Sequence, residues 1–110
     1  MVVSGRIDEA YRKHVDPSGK HHNAFTPAGF AALQKGMQDN HVQMPSKRLL
    51  VQHVLGDGDM VAVHSRLELK PGESPMIVVH LFRFDGGKIV EFWDCGQALP
   101  AGSPNADGAF

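Results

Sequence analysis

Phe82-Arg83-Phe84-Asp85-Gly86-Gly87-Lys88-Ile89-Val90-Glu91-Phe92-Trp93-Asp94 holds two aromatic and β-branched runs around an Asp-Gly-Gly-Lys turn. That pattern reads as a β-hairpin. Its first strand reaches back to Met76 and its second runs on to about Gln97. Upstream, Lys70-Pro71-Gly72-Glu73 marks another turn, and Met60 to Leu69 a strand whose second half alternates polar with apolar. Gly56-Asp57-Gly58-Asp59 is a tight turn, and Leu49 to Leu55 a strand before it. Strands at regular spacing joined by short turns make an antiparallel meander.

The chain before Pro45 has a different period. Ile7, Ala10, Tyr11, His14 and Val15 fall on one helical face, with Asp8 and Glu9 in the first turn and Ser4-Gly5 as a cap or break before it. Asp16-Pro17-Ser18-Gly19 is expected to end that helix as a turn, and Lys20 to Phe25 to follow as a polar loop. Thr26-Pro27 reads as an N-cap and first helical residue, opening a helix with Phe30, Leu33 and Met37 inward that runs to about Asp39-Asn40. Helices followed by strands mean α+β. A helical layer on one face of a curled sheet leaves a cavity between them. The tail from Pro100, rich in Pro, Gly and Ser, reads as irregular surface structure.

Composition narrows the function classes. At 110 residues the chain is expected to be a single domain, 1–110, with 42% hydrophobic and 21% charged residues and a net charge of −1. It has no Lys/Arg stripe, so neither nucleic acid nor an anionic membrane is an expected partner. No stretch approaches the ~20 apolar residues of a membrane span, and no signal peptide is apparent, so a cytoplasmic location is expected. A single cysteine, Cys95, excludes an intrachain disulfide.

Seven histidines (His14, His21, His22, His41, His53, His64 and His80) are the unusual feature. His80 interrupts the apolar run Ile77 to Phe82, and Asp94 ends another. Asp94 either faces the cavity, where a carboxylate loses hydration and is expected to have a raised pKa that suits a general acid or base, or lies on the solvent face of an edge strand. Whether the two meet depends on register. A two-residue Gly86-Gly87 loop pairs Asp85 with Lys88 and sets His80 opposite Trp93; one extra residue in a bulge sets it opposite Asp94. His22-Asn23 lies in a loop that either crosses the cavity mouth or is simply solvated. His64 and Arg66 share one face of their strand, facing cavity or solvent. His53 reads as a satisfied core histidine. Phe92 and Trp93 point to opposite faces, one lining the cavity and the other covering the outer sheet, where an aromatic suggests a dimer contact. No close-spaced metal-ligand motif is present, so no metal is expected, although His64, His80 and Asp94 have the right ligand types. Cys95 is a poor nucleophile because the neighbouring Asp94 raises a thiol pKa.

The hairpin segment closely resembles the F-R-x-x-x-G-K-I-V-E-x-W-D signature of SnoaL-like polyketide cyclases. His22-Asn23 resembles that family's H-N loop motif, and Leu55 through His64 its second hairpin. The tail from Gln97 to Phe110 is also similar, so the likeness spans nearly the whole chain. It implies the nuclear-transport-factor-2-like fold: a cone-shaped, curved antiparallel sheet with N-terminal helices enclosing a pocket. It also implies an aspartate acid/base with a histidine fourteen residues before it, the spacing of Asp94 and His80, and so favours the bulged register. Many relatives carry aspartate at the position of His80 and begin with a longer first helix. The opened cone wall then implies a truncated start or a covering partner subunit.

The resemblance implies an enzyme that needs no cofactor. Asp94 would remove a proton alpha to a carbonyl, with His80 orienting it or protonating the product and His22 or Asn23 holding the enolate oxygen, in an aldol-type cyclisation or isomerisation. The expected partners are a small hydrophobic carbonyl compound, contacted by Asn23, Phe25, His64, Phe82, Phe92 and Trp93, and a second copy of the chain in a homodimer. The alternative is a non-catalytic ligand-binding or dimerisation module of the same fold.

Overall fold

The computed structural model describes residues 5–100 and 102–110. Ser4, and with it the first half of the expected cap, lies outside the described residues. Helix α1 spans Ile7–His14 and buries Ile7 and Ala10, with acids in its first turn and bases in its last. Both arrangements complement the helix dipole. Strand β1, Val15–His21, follows without a break. Helix α2 spans Phe30–Gln43, and strands β2 Arg48–Asp57, β3 Met60–Glu68, β4 Met76–Asp85 and β5 Lys88–Ala98 complete the chain.

The sheet order is β1-β5-β4-β3-β2. The expected meander is present as β2 to β5, all antiparallel. β1 is the correction. The segment expected to be a turn and a polar loop is instead an edge strand, parallel to β5. Turn chemistry is present within it, since Asp16 Oδ1 accepts from the backbone N–H and hydroxyl of Ser18 at 2.9 and 2.7 Å. Edge position tolerates Pro17. Gly19 permits a close approach: a Cβ there would stand 2.3 Å from the Val90 carbonyl oxygen. The sheet is therefore mixed, within an α+β fold.

α2 also starts later than expected, at Phe30. The Thr26 hydroxyl donates to Asn23 Oδ1 at 3.0 Å instead of capping a helix, and Gly29, at φ 93°, supplies the break before it. The helix outlasts its expected end near Asn40 by one turn.

Phe30, Leu33 and Phe92 form the buried core, flanked by Tyr11, Val15, Met37, Phe82 and Ile89. Burying each large side chain contributes about 1.5–3 kcal/mol. The helices pack mainly on β1 and β5. They stand away from the middle of the sheet, and the space beneath them is the cavity. His53, expected in the core, is exposed on β2, where its Nδ1 lies 3.0 Å from His64 Nδ1.

Candidate active site

The hairpin resolves the register question in an unexpected way. Asp85 pairs with Lys88 across a two-residue turn, with Gly86 and Gly87 at φ 58° and 79°. Positive φ at both turn positions is what a tight hairpin needs and what glycine supplies. Yet Phe84 pairs with Ile89 while Arg83 pairs with Glu91, so Val90 is an extra residue. The tight loop and the bulge coexist. Beyond the bulge His80 pairs with Asp94, and Trp93 with Leu81.

His80 Nε2 approaches Asp94 Oδ1 to 3.3 Å. The other carboxylate oxygen, Oδ2, accepts from Asn23 Nδ2 at 2.8 Å. Asn23 is itself held on every side. Its Oδ1 accepts from the Phe25 N–H at 2.9 Å and the Thr26 hydroxyl, and its own N–H donates to His21 Nδ1 at 3.1 Å. His21 Nε2 then donates to the Pro27 carbonyl at 2.8 Å. A carbonyl can only accept, so this network fixes His21 as the neutral Nε2–H tautomer. His21 is 8% exposed. It is the residue that sequence reasoning missed: within an apparent polar loop nothing marked it as the ring that folds Asn23 toward Asp94.

The cavity measures about 400 Å³. Phe30, Leu33, Met37, Phe82, Ile89 and Phe92 give it an apolar wall. His80 belongs to that wall, whereas Asp94 stands behind it. Among the other polar groups in the wall is Tyr11, whose hydroxyl donates to the Met37 thioether at 3.2 Å. Burial pushes the Tyr11 phenol well above its ordinary range, so it stays protonated.

The electrostatics of Asp94 reverse the expectation. Its pKa lies below the ordinary carboxylate value, because the facing His80 ring outweighs desolvation, with Asn23 adding to the same side. Asp94 is an ionised anchor, and the geometry leaves His80 Nδ1 as the ring atom turned away from it.

Phe82 and Phe92 line the cavity as expected. Four other expected site residues stand elsewhere. Phe25 is 96% exposed, on the loop that Asn23 organises. Trp93 alternates to the outer sheet face, where His22 stacks on it with ring centroids 5.1 Å apart. His22 Nε2 also lies 2.7 Å from Glu91 Oε2 on that face. His22 and Asn23 are neighbours in sequence but go to opposite sides of the sheet. His64 faces outward too, stacked between His53 and Phe110. The His64, His80, Asp94 combination is thus split between two faces, and no cluster of three or more potential metal ligands occurs among the described residues. No helix among them is long and apolar enough to cross a membrane.

Comparison with known proteins agrees with this fold. The chain matches solved structures across most of its length. Wild-type IdmH of Streptomyces antibioticus, a putative polyketide cyclase, has a TM-score of 0.66 at 20% identity, covering 86% of this chain and 88% of that one. AclR of Streptomyces galilaeus, a putative hydroxylase, has a TM-score of 0.70 at 23% identity, covering 87% and 83%. A putative SnoaL-like polyketide cyclase of Jannaschia sp. CCS1 has a TM-score of 0.67 at 19% identity, covering 80% and 70%. Likeness at this identity shows a shared fold. No curated protein matches significantly. The SnoaL-like domain model matches residues 2–92, and the chain belongs to that family.

Proposed function

We propose that the chain is a small-molecule enzyme that performs cofactor-free acid–base chemistry alpha to a carbonyl, as an aldol-type cyclase or an isomerase. The observation that carries this reading is the pairing of His80, in an apolar wall, with an ionised Asp94 fixed by Asn23. The roles differ from those expected of the sequence. His80 Nδ1 takes the α-proton, breaking the C–H bond and leaving its electron pair in an enolate. Asp94 stabilises the resulting imidazolium and holds the ring, as a carboxylate does behind a catalytic histidine. In a cyclase the enolate carbon then attacks a second carbonyl of the same molecule, and the imidazolium protonates the alkoxide formed. In an isomerase the proton returns to another carbon. In this reading Asn23 acts on Asp94, to which its side-chain amide donates. Tyr11 is the wall donor suited to the enolate oxygen, because it gives up only a weak sulfur acceptor.

The test is solvent deuterium exchange at the α-carbon of apolar methyl ketones such as 2-acetonaphthone, followed by proton NMR. Wild-type protein should accelerate exchange, and His80→Ala should lose about 10²–10⁴-fold of that acceleration. Saturable binding without exchange, in wild type, would assign the pocket to ligand carriage instead. We place the homodimer expectation on the outer sheet face around Trp93, and sedimentation of wild type and Trp93→Glu checks it: the substitution should yield monomer.

A further inference from the structure

We infer that Lys47 and Asn40 form an anion subsite in the cavity, remote from His80, so that the compound acted on carries a carboxylate or phenolate distant from its reacting carbonyl. This deepens the acid–base reading and rests on it. Lys47 lies in the turn between α2 and β2, and both it and Asn40 belong to the cavity wall, beside Leu49 and Leu67. Its ammonium donates to the Asn40 side-chain oxygen, a neutral partner. Lys13, Lys20 and Lys35 each pair with a carboxylate at the surface. Among the described residues, no carboxylate lies within ion-pair distance of Lys47.

A half-buried cation beside a neutral amide is poorly compensated for its lost hydration. Burial accordingly pulls the Lys47 pKa below its ordinary value. An arriving anion supplies the missing countercharge where water screens it weakly. The sheet sets the spacing of the two poles. Leu49 pairs with Leu67 on β3, and His80 with Val63 on the same strand. Four residues along a strand is about 14 Å, and two strand spacings about 10 Å. Together these set the Cα atoms of Leu49 and His80 about 17 Å apart on the sheet, a span that its curl and the inward reach of the Lys47 and His80 side chains shorten. A fused two-ring aromatic with a substituent at each end is the elongated shape that suits two such separated poles.

The experiment compares 6-acetyl-2-naphthoate with 2-acetonaphthone, which lacks only the carboxylate. Calorimetry on wild-type protein should give the carboxylate about a tenfold lower Kd, ~1.4 kcal/mol. Lys47→Met should abolish that preference, and Lys47→Arg should keep it. Equal affinities in wild type, or no saturable binding of the naphthoate, overturns the subsite without needing either variant. Deuterium exchange on the same two compounds separates the two readings. Exchange without a carboxylate preference sinks the subsite alone. A preference that depends on Lys47, without exchange, upholds the subsite and sinks the catalytic reading.

Discussion

Gly19→Ala should be the most informative single methyl group added to this protein. The new Cβ would stand 2.3 Å from the Val90 carbonyl oxygen, 2.9 Å from the Val90 carbonyl carbon and 2.7 Å from Phe30 Cε2. Two of these three obstacles are backbone, so no rotamer change relieves them. β1 must move away from β5, and Phe30 must leave its 3% exposed position in the core. Overpacking typically costs about 1–3 kcal/mol, and immovable obstacles put this case at about 2–3. For a domain of this size ~1 kcal/mol moves Tm by about 4 °C, so the expected loss is about 8–12 °C. Val90 is also the extra residue of the bulge that aligns His80 with Asp94, and β1 leads directly to His21 and Asn23. The same substitution should therefore lengthen the Asn23–Asp94 contact, visible as a shifted Asn23 side-chain amide in a 15N spectrum. Gly36→Ala is the control: it lies within α2 with open space around its Cβ position. It should stabilise by about 0.5–1 kcal/mol through helix propensity and unfolded-state entropy. A Gly19→Ala protein that melts with wild type and keeps the Asn23 amide in place would refute the close packing of β1 on the bulge.

Three further outcomes follow from the same structure. Leu33→Ala should cost about 2–3 kcal/mol in urea unfolding, the low end for a buried leucine, because the hole opens into an existing cavity; a cost under ~0.5 kcal/mol contradicts its place in the core. Tyr11 is the only tyrosine, so absorbance at 295 nm reports it alone. Its ionisation should appear only as the far-UV circular dichroism is lost at alkaline pH, and reversible ionisation near ~10 in the folded protein would contradict its burial. Asp94 has a folded pKa below its unfolded one, so the stability it contributes is complete above the ordinary carboxylate range and lost as pH falls through the folded value. Urea midpoints of Asp94→Asn and wild type should accordingly converge as pH drops through that window, whereas a constant gap would mean that Asp94 is not depressed.

Much of the sheet was legible because β2 to β5 are local pairings with strong turn signals. Asp85-Gly86-Gly87-Lys88 fixes its own hairpin, and alternation fixes which residues share a face. β1 was not legible. Its sequence, Val-Asp-Pro-Ser-Gly-Lys-His, has turn residues, and its strand character comes only from β5, some seventy residues later. The bulge at Val90 is hidden for a related reason: a tight glycine turn and a bulge are each readable, but their coexistence depends on what presses on Val90 from outside the hairpin. The site divides in the same way. His80, Asp94 and Asn23 are brought together, but sequence neighbours of Asn23 and Asp94, namely His22 and Trp93, are sent to the other face by the period of two. The pKa of Asp94 was expected with the wrong sign because desolvation was weighed without the ring that faces it. His21 carried no signal at all, since its role lies in two hydrogen bonds to a loop whose shape it creates.

The most direct measurement is the 13C titration of the Asp94 side-chain carboxyl in wild type and in His80→Gln. With the ring in place Asp94 should titrate below the ordinary carboxylate range. Without it, burial opposes Asn23 alone and the carboxyl should climb. An Asp94 that titrates like a solvated carboxylate in both proteins would mean that His80 and Asp94 do not act as a pair, and the acid–base reading of the pocket would fall with it.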